Sequence, residues 1–175
     1  MATEIEIAYC AGLIDGEGYI GVKKSKAYRN LTGRVTPGYH AILMVRMVNE
    51  EGVCFLAETL GGWYYPETPR VKYGRLLHTW QISDKKAELA LRLVLPYLRI
   101  KRENAETVIA LRDLQAEGRQ HRTKITGYRN FPNARGTPRL VANKCFSDEY
   151  VARCDVFWLR CKELNRRGVQ GGCLV

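Results

Sequence analysis

The spacing of apolar residues predicts an α+β domain, with four antiparallel strands in a saddle-shaped sheet and helices on one of its faces. Three observations carry this. Thr3 followed by Glu6 makes a capping box in front of a helically spaced run. Residues 19–26 alternate with period two, and residues 39–49 are long and apolar enough to be a partner strand. Gly and Pro clusters separate the elements. With 175 residues the chain can bury one proper core. Residues 1–117 are expected to hold that core, 118–145 a basic loop or arm, and 146–175 a last helix and tail of the same domain.

In the first helix Ile5, Ala8, Tyr9, Gly12 and Leu13 share an apolar face. Within it Ala8, Gly12 and Gly16 recur at every fourth position, which lets two helix backbones approach closely. A Gly in a helix interior costs ~1 kcal/mol against Ala, so the repeat implies a packing reason. The three are therefore candidate dimer-interface residues. The helix ends in Asp15-Gly16-Glu17-Gly18. If two such helices cross, two Glu17 carboxylates meet and form a divalent-metal site at the interface.

In the first strand Ile20 and Val22 point to the core, and Tyr19, Gly21, Lys23 and Ser25 point away. After a loop with Pro37-Gly38, the second strand carries His40 and Arg46 on a common face. Glu50 to Leu60 is an amphipathic helix stopped by Gly61-Gly62. Trp63-Tyr64-Tyr65 opens a third strand, Arg70 to Arg75 is a basic ribbon turning at Gly74, and Leu76 to Ser83 is the fourth strand. Asp84 is expected to cap a helix whose Ala87, Leu89, Leu91, Leu93, Val94 and Leu95 run into Pro96. Arg102 to Glu117 forms another, with Ala105, Val108, Ile109, Leu111 and Leu114 on its apolar side. The order is αββαββα, and the free sheet face is basic and aromatic.

Residues 118–144 contain no acid, and Gly127, Pro132, Gly136 and Pro138 argue against long regular structure. A segment this long is expected to be a phosphate-contacting arm that orders on binding, through Arg119, Arg122, Lys124, Arg129, Arg135 and Arg139. Ser147 then opens a last helix with Val151, Cys154, Phe157, Trp158, Cys161 and Leu164 on its apolar side.

The net charge of +10 and a pI near 9.5 favour a polyanionic partner, nucleic acid above all. No apolar run approaches the ~18–20 residues that span a bilayer, so no membrane partner is expected. The acidic N-terminus is unlike a signal peptide. The six cysteines form no CxxC pair and have no His at zinc spacing, which reads as reduced thiols in an intracellular protein, of the cytoplasm or an organelle.

Cys10-Ala11-Gly12-Leu13-Ile14-Asp15-Gly16-Glu17-Gly18 resembles the signature of the LAGLIDADG homing endonucleases, with Cys for the first Leu, Gly for the second Ala and Glu for the second Asp. The segment from Ala110 to Gly118 ends in a similar way, but Arg112 and Asp113 occupy its close-packing positions. There is one motif per chain, and the resemblance is to the single-motif, homodimeric type. It implies the αββαββα fold plus a C-terminal helix. It also implies a site-specific, metal-dependent DNA endonuclease that makes a staggered double-strand break in a long near-palindromic duplex.

On that resemblance Glu17, helped by the Gly16 carbonyl, binds Mg²⁺, with Mn²⁺ as the other ion that would serve. Pro96 to Lys101 is similar to the family segment that places a catalytic lysine between two helices, which assigns Lys101. Asn49 matches in kind the amide that positions active-site water at the end of the second strand. Tyr19, Lys23, Ser25, His40, Arg46, Arg70, Lys72, Arg75 and Gln81 are the candidate DNA contacts of the sheet. Two other functions remain open at this stage. One is an RNA-binding maturase acting on its own intron RNA; the other is a cleavage-inactive DNA-binding protein.

Overall fold

The computed structural model describes residues 2–26, 36–68, 74–118, 120–132 and 138–166. The elements are α1 (Glu4–Glu17), β1 (Gly18–Ser25), β2 (Gly38–Met47), α2 (Glu50–Leu60), β3 (Trp63–Glu67), β4 (Leu77–Ser83), α3 (Asp84–Val94), α4 (Arg102–Ala116), β5 (Lys124–Pro132), β6 (Pro138–Cys145) and α5 (Asp148–Leu164). β1 to β4 form one antiparallel sheet in the order β1-β2-β4-β3. The α+β class and the αββαββα order are as the sequence predicts.

α1 begins at the capping box: Thr3 Oγ1 accepts the Glu6 N–H, and Glu6 returns a carboxylate to the Thr3 N–H at 2.7 Å. It ends where the chain turns into β1 without a connecting loop. The Gly18 N–H closes onto Ile14 O, and a Cβ at Gly18 would lie 2.4 Å from that same carbonyl oxygen. Only glycine fits this close approach of helix and strand. Gly18→Ala is therefore expected to destabilise the chain by about 1–3 kcal/mol, read from the midpoint of urea unfolding. A mutant as stable as the wild type would mean that the helix–strand junction is loose.

All five helices lie against one face of the four-stranded sheet. That face carries Ile20, Val22, Ala41, Leu43, Val45, Trp80 and Ile82. Trp80 is fully buried, with its Nε1–H donated to Gly61 O at 2.9 Å. Gly61 and Gly62 turn α2 into β3 with φ of 76° and 99°, a region other residues rarely enter. Burial pushes the Cys10 thiol up to about 11 and the Cys161 thiol up to about 12, so both stay protonated and inert at neutral pH.

Three sequence expectations differ from the structure. The 118–144 segment is not an irregular loop: it contains β5 and β6, which pair antiparallel as a separate two-stranded ribbon. The supposed breakers sit where strands tolerate them. Pro132 ends β5, Pro138 begins β6, and Gly127 lies at the register shift. Asp84 does not cap α3. Ser83 occupies the N-cap position, and Asp84 is the first helical residue, with φ 50° and its carboxylate 3.2 Å from His40 Nδ1. Leu89 and Leu93 face outward, about half exposed, while Ala87, Ala90, Leu91 and Val94 make the buried side of α3.

Candidate active site and nucleic-acid face

The tip of α1 is held by the chain between α3 and α4. The Asp15 carboxylate accepts the backbone N–H of Arg99 at 2.7 Å and of Lys101 at 2.9 Å. This fixes the turn that delivers the Lys101 side chain back onto the helix end. Lys101 Nζ donates to the carbonyls of Ile14 at 2.9 Å and Asp15 at 2.5 Å. An ammonium there adds a second donor to Ile14 O, which already accepts the Gly18 N–H, and bonds the Asp15 carbonyl in the last turn, at the negative end of the helix dipole. Burial lowers the pKa of Lys101, and the negative charges of Asp15 and Glu17 oppose that shift.

Glu17, the last residue of α1, is exposed, and its side chain makes no hydrogen bond among the described residues. Its field nevertheless reaches Lys101. The sequence assigned these two residues from segments more than eighty positions apart, and the fold brings them to one helix tip. Asp15→Asn removes one of the two acceptor oxygens. It is expected to cost about 1–2 kcal/mol, since the site is part-exposed, and to loosen Lys101 from the α1 tip. Chemical denaturation and the Lys101 side-chain amine signal in NMR would read the two effects separately. An unshifted amine signal would mean that the turn is held by something else.

Asn49 lies just past β2, exposed, with its Oδ1 accepting the Gly52 N–H at 2.7 Å as the N-cap of α2. The amide NH₂ is what it presents to solvent.

α1 has two different faces. Cys10, Ala11 and Ile14 are fully buried, whereas Ile5 is 83% and Tyr9 55% exposed. Gly12 and Gly16 are exposed as well, and a Cβ at either would meet nothing within 4 Å. Packing within the chain does not ask for these glycines.

The register of the sheet places Tyr19, Lys23 and Ser25 of β1, His40 and Arg46 of β2 and Gln81 of β4 on one side, opposite the helices. Period two thus grouped them correctly. Their surroundings differ. Lys23 is exposed, but Arg46 is tied to Glu67 Oε1 at 2.8 Å and to Thr79 Oγ1 at 3.3 Å. Ser25 Oγ accepts the Gly38 N–H at 2.9 Å, and His40 meets Asp84. Lys24 points to the helical side, where it bonds Asp155 and lies 4.8 Å over the Trp158 ring. The list from sequence omitted Trp63 and Tyr65, which oppose Gln81 and Thr79 on the same face with ring centroids 5.1 Å apart. Counting by twos from Gln81 across the β3–β4 pair would have found them.

Arg75 is exposed in the approach to β4, and Lys124 pairs with Asp148 at 2.8 Å. Arg122 lies 5.0 Å over the Phe146 ring. Arg70, Lys72, Arg119 and Arg135 lie outside the described residues, as do the side chains of Arg129 and Arg139.

No protein-family model and no curated protein matches the chain. Solved structures do. The homing endonuclease I-CvuI, in complex with its target in the presence of Ca, superposes with a TM-score of 0.64 over 96% of this chain and 87% of that one, at 13% identity. The archaeal intron-encoded homing endonuclease I-Vdi141I, complexed with DNA, gives 0.64 over 95% and 88%, at 11% identity. The chain has the homing-endonuclease fold. A third homing endonuclease, I-TnaI, matches over 90% of this chain and 94% of its own at a TM-score of 0.54 and 12% identity. The ribbon β5–β6 and α5 thus belong to a chain that matches homing endonucleases along nearly its whole length.

Within this homing-endonuclease fold, the α1 tip offers a divalent ion one carboxylate, Glu17, and backbone carbonyls. Among the described residues no three His, Cys, Asp or Glu side chains gather into a metal site. Such a sparse, all-oxygen donor set suits Mg²⁺, which keeps waters and takes further oxygens from phosphate. It does not suit a closed zinc site.

Proposed function

We propose that the chain is a single-motif LAGLIDADG homing endonuclease that cuts duplex DNA as a homodimer. The observation that carries the reading is the meeting of exposed Glu17 and part-buried Lys101 at the tip of a helix whose outer face, Ile5, Tyr9, Gly12 and Gly16, is apolar, small and uncovered. Two copies crossing through Ala8, Gly12 and Gly16 bring two such tips together, one for each DNA strand. The free sheet face, with Lys23, Gln81, Trp63 and Tyr65 outward, is the surface for the major groove, which admits a two-stranded β-ribbon.

Glu17 and the Gly16 carbonyl would hold Mg²⁺, or Mn²⁺ in its place, which when bound polarises the phosphoryl oxygen and acidifies water. The chain's own residues do the rest. Asp15 sets the 99–101 backbone, the α1 carbonyls orient the Lys101 ammonium, and Lys101 offers its charge to the scissile phosphate. Asn49, its Oδ1 engaged, presents amide N–H groups that can orient water. The ribbon β5–β6, whose sequence carries Lys124, Arg129 and Arg139, is a second basic segment that would meet phosphates flanking the site.

The experiment is cleavage of a randomised palindromic duplex library with Mg²⁺ or with EDTA. Staggered double-strand cuts at a shared near-palindrome, with Mg²⁺ alone, are expected. Tight, salt-sensitive binding without cutting would sink the nuclease reading and leave a DNA-binding protein. Selective binding of intron RNA, with no cut in duplex, would leave the maturase.

A further inference from the structure

The free sheet face carries a closed polar ring built from three strands. Arg46 of β2 stands directly opposite Thr79 of β4, and Thr79 stands opposite Tyr65 of β3, with Glu67 one pleat further along. Arg46 Nη2 donates to Glu67 Oε1 at 2.8 Å, and Arg46 Nε donates to Thr79 Oγ1 at 3.3 Å. The Thr79 hydroxyl closes the ring by donating to the same Glu67 oxygen at 2.7 Å. Thr79 is fully buried, whereas the Arg46 side chain keeps 45% of its surface.

An exposed arginine usually pairs loosely, because ordering its long side chain costs about what one surface ion pair returns. Here two partners on two other strands hold it, and one of them is buried. A guanidinium carries its N–H donors in one rigid plane. Nε–H and one Nη2–H lie side by side along one edge, and the ring takes both. What is left is the end of the fork, a parallel pair of N–H groups on Nη1 and Nη2. No acceptor among the described residues takes that end.

We propose that this ring is a guanine reader: Arg46 donates the end of its fork to O6 and N7 of one guanine in the major groove, and Glu67 and Thr79 are the positioning residues that aim it. The inference rests on the nucleic-acid reading above and adds to it a base and two residues. Two parallel donors match the paired acceptors of guanine; adenine and cytosine present a donor there, and thymine a single acceptor beside a methyl group. A phosphate also accepts an arginine fork, but two features count against it here. β2 and β4 are the inner strands of the sheet, which meet the floor of a groove rather than its rims. The Glu67 carboxylate, bonded to the guanidinium, would also repel a phosphate brought to the same group. In a homodimer the guanine recurs once in each half of a near-palindromic site.

The test is selection of bound duplexes from a randomised palindromic library by the full chain, with EDTA so that nothing is cut. The affinity of the selected duplex is then measured with each base at each position. Arg46→Met should lose a guanine preference of about tenfold or more at one position per half-site, with the other positions unchanged. Glu67→Ala and Thr79→Val should each weaken the same preference several-fold, with circular dichroism verifying the fold. Glu67→Ala also removes a negative charge, so it should bind unrelated duplexes more tightly; Thr79→Val changes no charge and should not. A merely structural pair would give the charge effect without the change at one base. Uniform weakening by Arg46→Met with a shallower salt dependence would mean a phosphate contact and overturn the proposal. A base other than guanine at the relaxed position would overturn it too, as would a base spectrum indifferent to both Glu67→Ala and Thr79→Val. In each of these cases the duplex is still bound, and the nuclease reading stands. No duplex binding at all would overturn both.

Discussion

Glu17→Gln is expected to abolish double-strand cleavage while leaving folding and DNA binding intact. The side chain is exposed and makes no hydrogen bond among the described residues, so its amide analogue removes a charge and little else. On the proposed mechanism the variant lacks the carboxylate that would hold the ion and forfeits several kcal/mol of charge stabilisation, and about 4 kcal/mol corresponds to roughly a thousandfold in rate. Single-turnover cleavage of a selected target measures this directly. The wild type should lose activity with EDTA by a comparable factor, whereas the variant's residual rate should be insensitive to EDTA. Lys101 supplies an internal check: without the Glu17 charge, one of the two influences that hold its pKa up is gone, so its pKa should fall further. Cleavage at the wild-type rate would remove Glu17 from the mechanism and with it the proposed ion site.

How far these residues could be read from sequence depends on what fixes each of them. The sheet face was legible because period two is imposed by the pleat itself. Tyr19, Lys23, Ser25, His40, Arg46 and Gln81 fall together once the strands pair as they do. Helix capping at Thr3 and Ser147 is equally local: each side chain accepts an N–H from its own first turn. Tertiary competition was not legible. Asp84 looked like a cap, but His40, 44 positions away, takes its carboxylate. Asn49 sits at the junction of a strand and a helix, where a one-residue difference separates a strand end from an N-cap. Alternation could not reveal the ribbon β5–β6 because it is a sheet apart from the main one, with Ile125 and Tyr128 exposed. In the pairing Lys101–Ile14–Asp15, the resemblance named the lysine, but only the fold could supply its anchor on the α1 carbonyls.

Gly12→Leu is the sharpest test of the homodimer, because the chain alone and the pair of chains answer it in opposite directions. Within one chain a Cβ at Gly12 meets open space, so a larger side chain costs nothing in packing. Leu is also the better helix former, by up to ~1 kcal/mol. The isolated chain should therefore be as stable as the wild type or more so. At a close helix crossing the same side chain stands between two backbones, and each copy carries one. Overpacking of this kind costs about 1–3 kcal/mol per site, so two sites weaken association by roughly thirtyfold or more. Ile5 and Tyr9, exposed on the same helix, cannot compensate, since they are held off by the same separation. Sedimentation equilibrium should find the wild type dimeric and the variant monomeric at the same concentration, with thermal unfolding of the variant unimpaired. Cleavage should fail with association, because one chain carries one Glu17 and a double-strand cut needs two. A dimeric variant would place the interface elsewhere, and Gly12 and Gly16 would then have no account, since a Cβ at either meets open space within the chain.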